Sequence, residues 1–318
     1  MTALPVEVEE VLQNGSFCYV ATETRHGPHV TPMVFALSGG RVWVTTSRGS
    51  VKARTWRRDP SVGGLVRFRD LAVAFTGRVR TFDLLETSTW GPGLMETPAL
   101  ALASAAFMSK NARFFAGYAV DARHVPLSWT PPGRVFAAIE LQRVALLGAG
   151  HVVETVGSWP RSLVGAERFR AHRAGVPALA GLPRDVAEIL GTRGDGALAV
   201  GGAGGIVALP CVWAVDGASL YAALGECELE LADLRAPTGS VSLAIDRSSR
   251  WRARDMTGAM VRGLGEVAAT DRLVSGGRSA ARIVETAGLA AETVALVRLR
   301  PERLVWWRGW SSGTVEVA

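Results

Sequence analysis

Apolar and polar residues alternate along most of this chain at the spacing of strands, with a few short stretches at helical spacing. Val8, Val11 and Leu12 share one face of a short N-terminal helix that starts near Pro5 and stops at Asn14-Gly15. Ser16 to Thr22 reads as a strand with Phe17, Tyr19 and Ala21 alternating, and Thr24-Arg25-His26-Gly27 as a turn. Two further strands follow, Gly27 to Phe35 and Arg41 to Thr46, joined by the turn residues Ser38-Gly39-Gly40. Val34, Phe35, Val42, Trp43 and Val44 are strong β-formers. The small-residue loop Ser47-Arg48-Gly49-Ser50-Val51 then leads to Lys52. The pattern predicts a mainly β chain with short helices (α+β).

The same pattern returns. Leu182-Pro183-Arg184-Asp185-Val186 to Leu190 repeats Leu4 to Leu12 at an offset of 178 residues (183 − 5). The register holds without a gap: Gly27 matches Gly205, Pro32 matches Pro210, Phe35 matches Trp213 and Trp43 matches Tyr221. Phe75-Thr76-Gly77 reappears as Met256-Thr257-Gly258, and Val135 to Leu147 resembles Thr293 to Trp307. A period this long is no solenoid; it predicts two tandem domains. We divide the chain into residues 1–157, a linker with a short helix over 158–181 (Glu167 to Arg173, then Gly175-Val176-Pro177), and residues 182–318. The first copy carries an extra segment, Leu85 to Pro132. In it Ser88 to Gly93 reads as a loop, and Pro98 to Val120 as one or two Ala-rich helices with Phe114-Phe115, opened by Thr97-Pro98. The second copy has a shorter helical stretch, Arg278 to Thr286.

The copies differ most at the exit of the strand ending near Thr46. Thr45, Thr46, Ser47 and Ser50 gather hydroxyls and unhindered N–H groups there, and Lys52, Arg54, Arg57 and Arg58 follow. Hydroxyls, exposed amides and cations at one place suit a phosphate. The alternative reading is a polar hairpin running into a solvated basic helix. In the second copy the same positions read Gly225-Glu226-Cys227-Glu228-Leu229-Glu230. Three carboxylates repel a phosphate, each pair at ~4 Å by about 1 kcal/mol even in bulk water. They also read as a solvated face; either way that loop holds no phosphate.

The run G-P-H-V-x-P-x-x-F, a hairpin, then x-x-T-x-x-x-S-x-K-x-R and R-D-P resembles the pyridoxamine 5′-phosphate oxidase-like, FMN-binding split β-barrel superfamily. It is carried by Gly27, Pro28, His29, Val30, Pro32, Phe35, Thr46, Ser50, Lys52, Arg54, Arg58, Asp59 and Pro60. The resemblance implies two tandem split β-barrel domains forming an intramolecular pseudo-dimer, with a cofactor groove between units. It implies that Thr31, Pro32, Met33 and Val34 lie along an isoalloxazine ring, that Thr45, Thr46 and Ser47 line the ribityl-phosphate side, and that Ser50, Lys52 and Arg54 hold the phosphate. One FMN per chain is expected, held by the first copy and covered by the second, with Trp251, Arg252 and Arg254 as candidate covering residues. The activity implied is an oxidoreductase on an unknown small organic substrate. The deazaflavin F420, whose anionic tail Arg54, Arg57 and Arg58 would receive, is the alternative cofactor. A non-catalytic flavin- or haem-binding module is the alternative function. The C-terminus, Trp310 to Ala318, supplies no substrate-phosphate motif, so vitamin B6 oxidation is not expected.

Composition narrows the rest. Of 318 residues 48% are hydrophobic, enough for a sizeable core, and no apolar run is long enough to span a membrane. Met1 to Glu7 shows no signal peptide, and Cys18, Cys211 and Cys227 lack metal-ligand spacing; they read as buried small residues in a reducing cytoplasm. The net charge of +6 comes from dispersed arginines rather than a basic stripe, so no nucleic-acid partner is expected. No metal site, Walker loop or nucleophile elbow is present. His26 and His29 lack a further ligand, and Gly201 to Gly205 reads as a hairpin turn. Trp306, Trp307 and Trp310 read as core or interface packing. No acid–base pair stands out, and no catalytic residue is assigned. The chain is expected to be a monomeric pseudo-dimer or a homodimer.

Overall fold

The computed structural model describes residues 4–83, 97–121, 123–125, 133–160, 178–202, 204–216, 219–234, 238–249, 252–269 and 294–317. The predicted loop at Ser88 to Gly93, the helices at Glu167 to Arg173 and Arg278 to Thr286, and Trp251 lie outside these residues.

The first half runs α1 (Val6–Asn14), β1 (Cys18–Thr24), β2 (Gly27–Met33), β3 (Phe35–Ser38), β4 (Arg41–Ser47), α2 (Val51–Trp56), β5 (Ser61–Phe68) and β6 (Leu71–Phe82). It continues with α3 (Thr97–Lys110), α4 (Ala112–Val120), β7 (Arg134–Gly148) and β8 (His151–Val156). The second half runs α5 (Arg184–Leu190), β9 (Arg193–Gly202), β10 (Gly205–Asp216), β11 (Ser219–Gly225), α6 (Glu226–Glu230), β12 (Thr238–Arg247), β13 (Thr257–Ala269), β14 (Val294–Arg308) and β15 (Ser311–Glu316). The predicted pair of helices in the extra segment is α3 and α4.

Two antiparallel sheets result. The first has the order β2-β1-β5-β6-β7-β4-β3, and β8 joins β7. The second has the order β11-β10-β9-β12-β13-β14-β15 and closes into a six-stranded barrel where β11 pairs β14. The duplication is written in the hydrogen-bond ladders. Cys18 pairs Met33, and 178 residues on Gly196 pairs Cys211. Phe35 pairs Val44, and Trp213 pairs Ala222. Register is fixed by turn length and burial, so equal register in both hairpins needs equal local design.

The first barrel encloses Val20, Phe35, Val42, Phe75 and Ile139, capped by Val8, Val11 and Leu12 of α1. The second core does not stop at its own strands. Ala21, Val30, Leu65, Ala74 and Leu147 of the first unit belong to the same apolar cluster as Leu198, Leu209, Leu243 and Val261 of the second. So β1 is buried on both faces: Cys18 and Val20 face their own barrel, Ala21 faces the second unit and Tyr19 packs against it. Gly63 lets the backbones of β5 and β10 meet; a Cβ there would lie 2.6 Å from the Ile206 carbonyl oxygen. Polar cross-links finish the seam. Arg67 donates to the Gly196 carbonyl and, at 3.4 Å, to that of Cys211, and Arg143 donates to the Gly204 carbonyl.

Three local expectations change. Cys227 is exposed, because it lies on the outer side of a single helical turn. The acidic run is that turn, α6, and Glu228 points inward with its carboxylate accepting from Gly225 N at 2.9 Å, so it is not on a solvated face. The strand predicted from Ser16 begins at Cys18.

Candidate functional site

In the second unit β10 is one unbroken strand, and Val212 pairs both Asp195 and Ala223. In the first unit the corresponding strand parts at Val34, between β2 and β3, and Val34 belongs to neither ladder. A cavity of about 1010 Å³ opens at that break. Thr31, Pro32 and Met33 line it from β2, Val34 from the break, and Thr45, Thr46, Ser47 and Ser50 from the exit of β4. Lys52 lines it from α2. Nine of the ten candidate residues thus share one cavity. The tenth, Arg54, is exposed on α2 and outside the lining.

The exit of β4 is ordered by its own hydroxyls. Ser50 is the N-cap of α2, its Oγ accepting from Ala53 N at 3.1 Å and from Thr46 Oγ1 at 3.0 Å. The cap turns Lys52 inward, where its ammonium donates to Thr31 Oγ1 and only 4% of the residue is exposed. Burial pushes this amine down to about 7, with Cys18 opposing weakly. Lys52 sits in the first turn of that helix. The outer cations are drawn away. Arg48 pairs with buried Asp83, and Arg57 approaches the same carboxylate at 3.6 Å.

The opposite wall comes from the extra segment. Phe107 of α3 and Phe114, Phe115 and Tyr118 of α4 line the cavity with Phe136 of β7. Their rings contact one another at centroid distances of 5.5–6.3 Å. Arg134, at the start of β7, adds a second, half-buried cation, donating to Thr45 Oγ1 at 3.0 Å and to the Thr45 carbonyl at 2.8 Å. Burial lowers its pKa and raises that of Tyr118, and the two side chains interact electrostatically. No Asp, Glu, His or Cys lines the cavity among the described residues. The sequence signalled this wall only through Phe114-Phe115 in an Ala-rich helix, and Arg134 not at all.

The second unit closes the cavity. Met256 lines it, Trp310 packs edge-on against Tyr118 at 5.2 Å, and Arg254 reaches buried Asp121 at 3.4 Å. Of the candidate covering residues, Arg254 therefore touches the insertion rather than the cavity, and Arg252 is exposed outside the lining.

A second recess of about 470 Å³ occupies the duplicated position. Pro210, Cys211, Val212, Ala223, Leu224 and Glu228 line it, each 178 residues after Pro32, Met33, Val34, Thr45, Thr46 and Ser50. The first unit's β5–β6 and β7–β8 turns cover it, as the second unit covers the first cavity. Here the Gly150 carbonyl rests directly on Gly225, the counterpart of Ser47. Burial pushes the Glu228 carboxyl up to about 7. A turn and a carboxyl stand where the first unit has Ser47 and Ser50.

Residues 5–75 match the family described as Pyridoxamine 5′-phosphate oxidase. Similar solved structures include General Stress Protein 26 from Bacillus anthracis str. Sterne, 15% identical over 48% of this chain and 96% of that one, with a TM-score of 0.32. Another is a pyridoxamine 5′-phosphate oxidase-related, FMN binding protein from Nostoc punctiforme, 17% identical over 46% and 87%, with a TM-score of 0.34. A third is a conserved hypothetical protein from Mycobacterium tuberculosis, 22% identical over 46% and 86%, with a TM-score of 0.33. No curated protein matches the sequence. Among the described residues, no helix is long and apolar enough to cross a membrane.

Proposed function

We propose that this chain, whose residues 5–75 match the pyridoxamine 5′-phosphate oxidase family, is a flavin-dependent oxidoreductase holding one FMN per chain. The observation that carries the reading is the cavity at the Val34 break, where hydroxyls, buried Lys52 and half-buried Arg134 meet an aromatic wall with no carboxylate among the described lining residues. That donor set fits an FMN. Thr31 to Val34 would lie along the ring, Thr45 to Ser47 along the ribityl chain, and Ser50 and Lys52 near the phosphate. FMN, when bound, supplies the hydride or electron transfer.

The chain's own groups bind, orient and exclude water. An ammonium has three donors, and Thr31 takes one, so Lys52 retains donors for an anion. A charge held where only 4% of the residue meets solvent is unfavourable until an anion joins it, which favours anionic ligands strongly. The phenylalanine wall keeps water from the reacting face. The second unit acts as a lid and not as a second flavin site; we place the division between units at residues 158–181.

F420 would need a cationic trench for its tail. Arg57 is held by Asp83, and none of Arg54, Arg57 and Arg58 lines the cavity, which favours FMN. The test is titration of the purified protein with FMN and with F420, followed by visible absorbance, then turnover with NAD(P)H and oxygen. Saturable FMN uptake with turnover is expected. FMN uptake without turnover would reduce the protein to a flavin-binding module, and uptake of F420 alone would overturn the choice of cofactor.

A further inference from the structure

The second recess lacks the first unit's hydroxyls and lysine but has a chemistry of its own. Its volume of about 470 Å³ lies within the range of small-molecule pockets, on the order of 300–1,000 Å³. Two opposite charges line it without meeting. Glu228 is almost wholly buried; Gly225 N takes one of its carboxylate oxygens, and the group forms no ion pair among the described residues. Arg67, half-buried on β5 of the first unit, is anchored through Nη2 to the Gly196 and Cys211 carbonyls. Its Nε makes no hydrogen bond, and the guanidinium also forms no ion pair among the described residues. The Arg67 charge is felt at Glu228, but no contact neutralises either group. Buried charges are ordinarily paired, because taking them out of water is costly. Much of the remaining wall is apolar, with Leu71, Leu147, Val212 and Leu224. Arg69, Asp70 and Asp195 complete the charged lining, and all three are exposed.

We propose that this recess binds a small aliphatic amino acid, its ammonium received by Glu228 and its carboxylate by Arg67. The site is built by both units, and it goes beyond the flavin reading without resting on it. Ammonium on carboxylate and carboxylate on guanidinium are charge-assisted hydrogen bonds, and the fixed fork of an arginine suits a carboxylate. A zwitterion supplies both at once and brings no net charge into the recess. A phosphate would meet the Glu228 carboxylate, and a simple amine would leave Arg67 unpaired. The duplication sets Glu228 where the first unit has Ser50, so the loop that offers a hydroxyl in one copy offers an acid in the other. The leucine-lined wall accepts an aliphatic side chain.

The test is calorimetric titration at pH 8, above the value of about 7 to which burial pushes the Glu228 carboxyl. L-leucine is the probe. The controls are 3-methylbutylamine, which lacks its carboxylate, and 4-methylpentanoate, which lacks its amine. One L-leucine per chain is expected, with each control at least about tenfold weaker. Glu228→Gln keeps an acceptor for Gly225 N, and it should weaken L-leucine at least about tenfold while shifting FMN affinity, read by absorbance, less than about threefold. Saturation with FMN should leave the L-leucine affinity unchanged. No saturable L-leucine binding, a control that binds as tightly as L-leucine, unchanged affinity in Glu228→Gln, or competition with FMN would overturn the proposal. L-leucine binding by a protein that takes up no FMN would uphold this site and overturn the flavin reading.

Discussion

Replacing Lys52 by methionine should stabilise the ligand-free protein and weaken its hold on FMN. The ammonium is buried with Thr31 Oγ1 as its hydrogen-bond partner, and its pKa falls from 10.5 in the unfolded chain to about 7 in the fold. Between those values the unfolded chain binds more protons than the native one. Stability therefore rises with pH from 7 to 10.5, by about 1.4 kcal/mol per unit from this group. At pH 7 the shift withholds on the order of 4 kcal/mol from folding. Methionine is similar in volume and neutral, and recovering half of that would give ~2 kcal/mol, a rise in Tm of roughly 4 °C. An FMN phosphate should reverse the sign, because it needs the charged amine. Affinity in the parent protein should fall about tenfold per pH unit above 7, and Lys52→Met should cost roughly 10- to 100-fold at pH 7. Denaturation across pH 6–10 and FMN titration over the same range test both halves. Lys110, lowered to about 8, adds a rise of the same sign over the narrower window from 8 to 10.5, and that rise persists in the variant. A variant less stable than its parent at pH 7, with FMN affinity unchanged, would refute the reasoning.

Other outcomes follow from the same geometry. Glu228 has a folded pKa near 7 against 4.5 unfolded, so the native state binds more protons and stability falls as pH rises from 4.5 to 7. Glu228→Gln should stabilise by about 2 kcal/mol at pH 8 and by nothing at pH 4, as read from denaturation midpoints. Gly63→Ala should destabilise by about 2 kcal/mol in urea, since its methyl meets the Ile206 backbone across the seam; an unchanged midpoint would show that the units are not packed in this way. Rebuilding the lost cradle as Gly225→Ser with Glu228→Ser and Glu230→Lys should add no second FMN, because the Gly150 turn occupies that place; two equivalents by absorbance would contradict this.

Much of the fold was legible because strands and turns are local. The equal hairpin ladders in the two copies repeat what Gly27/Gly205 and Pro32/Pro210 announce in the sequence. The grouping of hydroxyls at the exit of β4 was legible for the same reason, being one hairpin exit with Ser50 as cap. What stayed hidden depends on contacts distant in sequence. Tyr19 and Ala21 alternate as any half-buried strand does, and nothing in that spacing says that they face another unit. Phe107, Phe114 and Tyr118 sit in a helical stretch that carries no mark of the barrel it leans on. Arg134 is one more arginine in an arginine-rich chain until β7 sets it beside Thr45. Glu228 looks solvated in sequence, and only the Gly225 amide and the β7–β8 turn explain its burial.

The most direct test of the central claim is the number of cofactors per chain. Native mass spectrometry across an FMN titration, with absorbance as a second measure, should give one FMN per chain in the parent, while Lys52→Met reaches the same loading only at roughly 10- to 100-fold more FMN. Two FMN per chain, or a Lys52→Met chain that loads at the parent's FMN concentration, would contradict a single site built by the first unit and closed by the second.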